Sequence, residues 1–126
     1  MNLEIKNEVI AVYDAYLKAF VANDLPVLNS LIQYPLAYIG AGGTTMLDTY
    51  PVQPATLMAE KQWHDTRDMD YEVVFASADK AHLILHHATG VRADESPIET
   101  ISAFYALTRT PTGWKIFAFS DITVPA

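Results

Sequence analysis

Apolar residues recur at helical spacing near the start of the chain and at strand spacing towards its end. Val9, Tyr13, Tyr16, Leu17 and Phe20 fall on one side of a helix, with Glu8, Asp14 and Lys18 opposite; this predicts an amphipathic helix from about Leu3 to Ala22. Asp24 is a good N-cap and Pro26 suits a first turn, so a second helix follows, burying Leu28, Leu31 and Ile32. Leu36–Ile39 and Thr44–Leu47 read as a short hairpin around Gly40-Ala41-Gly42-Gly43, and Tyr34, preceding Pro35, is expected to be extended. A third helix is predicted from Ala55 to about His64, stopped by Asp65-Thr66-Arg67-Asp68. The rest alternates as strand: Tyr71–Ser77, Ala81–Arg92, Pro97–Arg109 and Trp114–Thr123, with tight turns at Ala78-Asp79-Lys80 and Thr110-Pro111-Thr112-Gly113. Helices first and a long antiparallel meander last predict an α+β cone, a strongly bent antiparallel sheet wrapped around three N-terminal helices.

Strand alternation also predicts faces. Pairing Ala81–Arg92 with Ile98–Arg109 across a five-residue loop sets Leu85 opposite Tyr105 and Leu83 opposite Leu107. The next pairing sets Leu107 opposite Ile116 and Tyr105 opposite Ala118. The inner face then carries Leu83, Leu85, His87, Ile101, Ala103, Tyr105, Leu107, Trp114, Ile116, Ala118, Ser120 and Ile122. The outer face carries His82, Ile84, His86, Ser102, Phe104, Thr108, Lys115, Phe117, Phe119 and Asp121. A slip of one residue would exchange the two sets.

Composition narrows the classes. The 126 residues suit one domain over 1–126, and 51% hydrophobic against 18% charged residues excludes disorder. A formal charge of -7 with basic residues scattered singly argues against nucleic acid and anionic membrane surfaces. With no cysteine there is no disulfide framework or thiolate nucleophile. Met1-Asn2-Leu3-Glu4 does not begin a signal peptide and no apolar run spans a bilayer, so the default expectation is a soluble cytoplasmic protein.

The order of helix, Asn23-Asp24 junction, short helix, Tyr34-Pro35 hairpin, helix and long strands resembles the nuclear transport factor 2-like (SnoaL-like, cystatin-like) superfamily. Phe104-Tyr105-Ala106-Leu107-Thr108-Arg109 with Gly113-Trp114-Lys115-Ile116 is similar to the closing hairpin of its bacterial members. Trp63-His64 and Asp79-Lys80-Ala81-His82 resemble an uncharacterised bacterial branch. The resemblance implies a cone with a cavity and a dimer through the outer sheet face. It leaves activity open, because this fold serves isomerases, dehydratases, cyclases, epoxide hydrolases and non-catalytic partners. Its catalytic members often use a buried Asp with a Tyr or His, whereas here the inner face of the long strands carries no carboxylate and Asp121 falls outside.

Candidate chemistry follows from the faces. His87 and Tyr105 are diagonal neighbours on the inner face, a base or acid beside a hydrogen-bond donor; the plainer alternative is a buried polar pair holding two strands together. Leu85, Trp114 and Ile116 would supply an apolar wall, Ser120 a polar guide, and Trp63 and His64 a lid at the end of the third helix. Tyr16 and Tyr38, among the numerous tyrosines, are candidates to project hydroxyls inward, though stripes such as Tyr13 and Tyr16 are more often core. Ile84, His86, Phe104, Phe117 and Phe119 would form the homodimer face. No metal site is expected: His82 and His86 lie about 13 Å apart along a strand, and no cofactor motif appears, the glycine run being followed by a strand rather than a helix. Two functions remain open: a protein that binds a small hydrophobic molecule, with or without general acid/base chemistry, or a non-catalytic dimeric interaction module whose cavity its own side chains fill.

Overall fold

Helix α1, Leu3–Val21, is the cone's axle: a computed structural model describes all residues, Met1–Ala126, and buries Val9, Tyr13, Tyr16 and Ala19 of this helix against the sheet. Asn2 caps it by accepting from the Ile5 N–H at 3.0 Å, and Asp14 and Lys18 pair at 3.0 Å on its solvent side. Helix α2, Leu25–Ser30, starts at the expected Asp24 cap, whose side chain accepts from the Val27 N–H. Strand β1, Ile32–Ile39, contains a cis Tyr34-Pro35 bond and turns into β2, Thr44–Leu47.

Helix α3 is shorter than its sequence suggests, Pro54–Lys61, because Gln62 turns left-handed and ends it. Trp63 and His64 therefore lie beyond the helix, and the His64 N–H already donates to the Val91 carbonyl at 2.8 Å. The polar Asp65-Thr66-Arg67-Asp68 run opens strand β3, Asp65–Ala76, rather than closing a helix. Its charges are answered locally: Arg67 pairs with Asp65 and with Glu95, the latter at 2.9 Å. Strands β4, Lys80–Val91, β5, Pro97–Thr110, and β6, Gly113–Pro125, complete a six-stranded curled, unclosed sheet of order β2-β1-β6-β5-β4-β3. Strand β1 joins β6 in parallel, the one departure from an antiparallel sheet.

Two bulges decide which side chains face inwards. On β4, Leu85 opposes Ala103 and Ala88 opposes Ile101, so His86 and His87 together span one partner residue. On β6, Ile116 opposes Leu107 but Ala118 opposes Ala106, so Phe117 is the extra residue. The β4–β5 register also differs from expectation by two, with Leu83 opposite Tyr105 and Ala81 opposite Leu107. The turn occupies Arg92–Ser96, closed by the Arg92 N–H on the Ser96 carbonyl. An even shift preserves the faces, so Leu83, Leu85, Tyr105 and Leu107 are buried as expected. Beyond each bulge the faces exchange. Ala88 takes the inner place expected for His87, and Phe119 and Asp121 turn inwards while Ser120 and Ile122 turn out.

Candidate active site

A cavity of about 240 Å³ lies between α1, α3 and the concave face of the sheet, and 17 of its 23 lining residues are hydrophobic. Aromatic rings make its inner end. From α1, Tyr13 and Tyr16 stack at 5.7 Å between centroids, and both meet Tyr105 edge-on, at 5.0 and 5.9 Å. Tyr105, Phe119 and Tyr50 form a parallel stack, 5.9 Å between successive centroids. Nearer α3, Phe20 and Trp63 meet edge-on at 5.3 Å.

The register orders the site by depth. Phe119 pairs with Tyr105, Asp121 with Ala103 and Thr123 with Ile101, before the strands reach Glu99 and Pro125. Inward side chains on one strand are about 7 Å apart, so Asp121 sits one step above the aromatic floor and one below Thr123. At the mouth Lys61 donates to Glu99 at 2.7 Å, tying α3 to β5.

Polar atoms are few and specific. The Tyr16 and Tyr50 hydroxyls are hydrogen-bonded to each other, and the Tyr13 hydroxyl is buried beside Tyr105. Burial, reinforced by neighbouring phenols, pushes the pKa values of Tyr13, Tyr16 and Tyr50 well up, and burial does the same to Tyr105. All four are neutral phenols, and one hydroxyl hydrogen of the Tyr16–Tyr50 pair is taken up in their mutual bond. Tyr38 donates to Oδ1 of Asp121 at 2.6 Å, and this bond, with some burial and the carboxylate's charge, pushes its phenol up to about 12. The arrangement can hold an apolar body, offer neutral donors at its deep end and present a carboxylate beside them.

Of the residues singled out in the sequence, Tyr16, Trp63, Leu85 and Tyr105 line the cavity. Tyr38 reaches it only through Asp121. Trp114 and Ile116 are buried but belong to the closed end of the cone, where the Trp114 indole N–H donates to Glu8 at 3.0 Å. The Ser120 hydroxyl donates to the Ile39 carbonyl at 2.8 Å and does not line the cavity. His64 is exposed beyond α3 and lines no part of it. His87 does not meet Tyr105: it is exposed on the outer side, 3.9 Å from Asp70, with His86 2.6 Å from Glu72. A buried imidazole needs a partner that the small Ala88 does not, and the bulge lets Ala88 take that place. Among the residues expected on the dimer face, Ile84 is half-buried, Phe104 is half exposed and Phe117 packs under the Lys80 ammonium. Phe119, at 3% exposure, is core and cannot be part of such a face.

Sequence reasoning missed Asp121 and Tyr50. Ile116 and Phe119, large apolar residues three apart in a strand, carry a parity break that is the signature of a bulge. Tyr50, between Thr49 and Pro51 in a loop, carries no periodic signal at all.

Residues 7–122 match the family model described as NTF2-like protein (DUF6841). The chain belongs to this NTF2-like family. The same fold recurs in solved structures. A conserved protein from Planctomyces limnophilus is 16% identical, with a TM-score of 0.73 over 99% of this chain and 100% of that one. A proposed dehydratase of the NTF2-like family from Streptomyces avermitilis is 17% identical, with a TM-score of 0.74 over 98% of each chain. A proposed aromatic ring hydroxylase from Novosphingobium aromaticivorans is 12% identical, with a TM-score of 0.66 over 100% of this chain and 96% of that one. At these identities the likeness is one of fold. A search of the curated proteins finds no match. No helix of this NTF2-like chain is long and apolar enough to cross a membrane.

Proposed function

We propose that this NTF2-like protein binds a small hydrophobic molecule in the cone cavity and holds its polar end near the buried phenols and Asp121. The observation that carries the reading is a mostly apolar volume of about 240 Å³ lined by the rings of Tyr16, Tyr50 and Tyr105, with the Asp121 carboxylate in the same wall. The volume lies below the roughly 300–1,000 Å³ of drug-sized sites, so the occupant is small. General acid/base chemistry of the isomerase, dehydratase or hydrolase type fits the same wall, with a neutral phenol as donor to a developing oxyanion and Asp121 as proton acceptor.

The reading is tested by calorimetric titration with small aromatic and alicyclic alcohols, ketones and amines, alongside Ala103→Leu. Ala103 lines the cavity, so the larger side chain would grow into existing space. Binding by the parent and at least a tenfold loss in Ala103→Leu is the expected result. No binding by any probe, or equal binding in the filled variant, would defeat the reading.

The outer face supports a second element of the proposal, a homodimer. Phe104, Ile122 and Val124 are 50–67% exposed on the neighbouring strands β5 and β6, and Phe75, 66% exposed, lies on β3 of the same sheet. An apolar face of this kind, on a curled sheet whose inner side is occupied, suits a second copy of the same face.

A further inference from the structure

We propose that the molecule the cavity takes is a cation, a small hydrophobic amine whose ammonium meets the Asp121 carboxylate while its apolar body lies among the aromatic rings. This rests on the cavity-binding reading above and adds the charge of the ligand to it.

Three charged side chains line the cavity: Lys61, Glu99 and Asp121. Lys61 and Glu99 neutralise each other at the mouth, 2.7 Å apart. Asp121 is left without a counter-ion: none of the molecule's ion pairs includes it, and its one side-chain hydrogen bond comes from the neutral Tyr38 hydroxyl, at Oδ1. Asp121 is half-buried and lines a mostly apolar cavity, so its carboxylate offers an incoming ammonium a charged partner that no cation of the chain occupies.

The rings point the same way. Tyr16, Tyr50, Tyr105 and Trp63 line the same cavity as Asp121, and electron-rich rings of this kind favour a cation over an anion. Aromatic walls around a carboxylate are a general solution for holding ammonium groups. Beyond burial, the Asp121 charge adds to the upward shift of Tyr50 and Tyr105, which places those rings within its field. A chain of formal charge -7 attracts cations from solution. An anionic ligand would meet Asp121 and Glu99 with only the already engaged Lys61 in compensation. A neutral one would leave Asp121 as it is.

The depth of Asp121 fits an amine rather than a bare ion. One inward step, about 7 Å, separates it from the Phe119 floor and another from Thr123 near the mouth. An ammonium at this level has the aromatic floor on its deep side to take a ring or short chain.

The experiment is calorimetric titration of the intact chain at neutral pH with phenylalkylamines, the alcohols of the same chain length and the corresponding carboxylates. The amine is expected to bind at least tenfold more tightly than its alcohol, with the carboxylate weakest. Asp121→Asn, which keeps the shape and the Tyr38 hydrogen bond, should bring amine and alcohol within about twofold, while Asp14→Asn on the exposed side of α1 should leave the preference intact. An alcohol that binds as tightly as the amine, or a preference surviving Asp121→Asn, overturns the proposal while leaving cavity binding in place. Silence from all three probe classes defeats both. If Asp121→Asn does not fold, the ranking of the three probe classes on the parent protein decides alone.

Discussion

Phe119 lies directly across the β5–β6 ladder from Tyr105, the two rings stacked 17° from parallel with centroids 5.9 Å apart. Tyr50 covers the other face of Phe119 at 10°, so a loop residue, a strand residue and its cross-strand partner form one aromatic column. That column is the floor of the cavity, and it exists because Phe117 is an extra residue in β6. Without the bulge, Phe119 and Asp121 would face outwards and the cavity would have neither its floor nor its carboxylate.

Phe119→Ala should therefore destabilise the fold by about 3–5 kcal/mol, as truncation of a buried Phe does. Met46→Ala, exposed on the edge strand β2, should stay within about 0.5 kcal/mol. Urea unfolding of the two variants checks the pair. Equal losses would mean that the bulge does not hold in solution.

Glu8 is the second place where a single contact carries the packing. Its Oε2 accepts from the Trp114 indole N–H at 3.0 Å and from Arg109 at 3.1 Å, and the Arg109 guanidinium lies over the Trp114 ring. Glu8→Ala would leave the N–H of a buried Trp without an acceptor and is expected to cost about 1–3 kcal/mol. Glu8→Gln keeps an acceptor and should retain most of the stability. Thermal unfolding of both variants, followed by tryptophan fluorescence, measures the difference.

All seven tyrosines have phenols shifted upwards, most by burial first and Tyr38 by its bond to Asp121 first. A phenol raised in the folded state holds its proton after the unfolded chain has lost it. Its contribution to stability is complete below the ordinary value of 10.0 and falls as pH rises from there towards the folded value, about 12 for Tyr38. Stability should thus decline above about pH 10. Phenolate absorbance of the native chain should lag behind that of the urea-unfolded chain, with Tyr13, Tyr16, Tyr50 and Tyr105 ionising only on unfolding. Coincident titration curves would contradict the buried phenol cluster.

Light scattering at micromolar concentration should give twice the 14.0 kDa chain mass if the outer face pairs with itself. Phe104→Asp should move the equilibrium towards monomer without loss of helical circular dichroism, since the side chain is half exposed in the single chain. A parent protein at the monomer mass would rule out the dimer.

Local chemistry was enough to read the elements and their order. The α1 stripe of Val9, Tyr13 and Tyr16, the Asp24 cap and the apolar alternation of β4 and β5 each act over a few residues, so they are visible in the chain and lead to the α+β cone. The faces of the sheet were legible as far as that alternation runs unbroken: Leu83, Leu85, Tyr105, Leu107 and Ile116 are buried as their parity requires. Where alternation breaks is marked in the chain only faintly, by the odd spacing of Ile116 and Phe119 on β6, and at His86-His87 on β4 it is not marked. A bulge is chosen by competition between distant partners: Ala88 rather than His87 fits against the helices, and Phe119 finds Tyr105 and Tyr50 only once β5, β6 and the loop before α3 have come together. Each bulge exchanges every inward and outward side chain beyond it. The tertiary structure alone thus placed His87 outside, Asp121 inside, and a carboxylate without a counter-ion beside a column of aromatic rings.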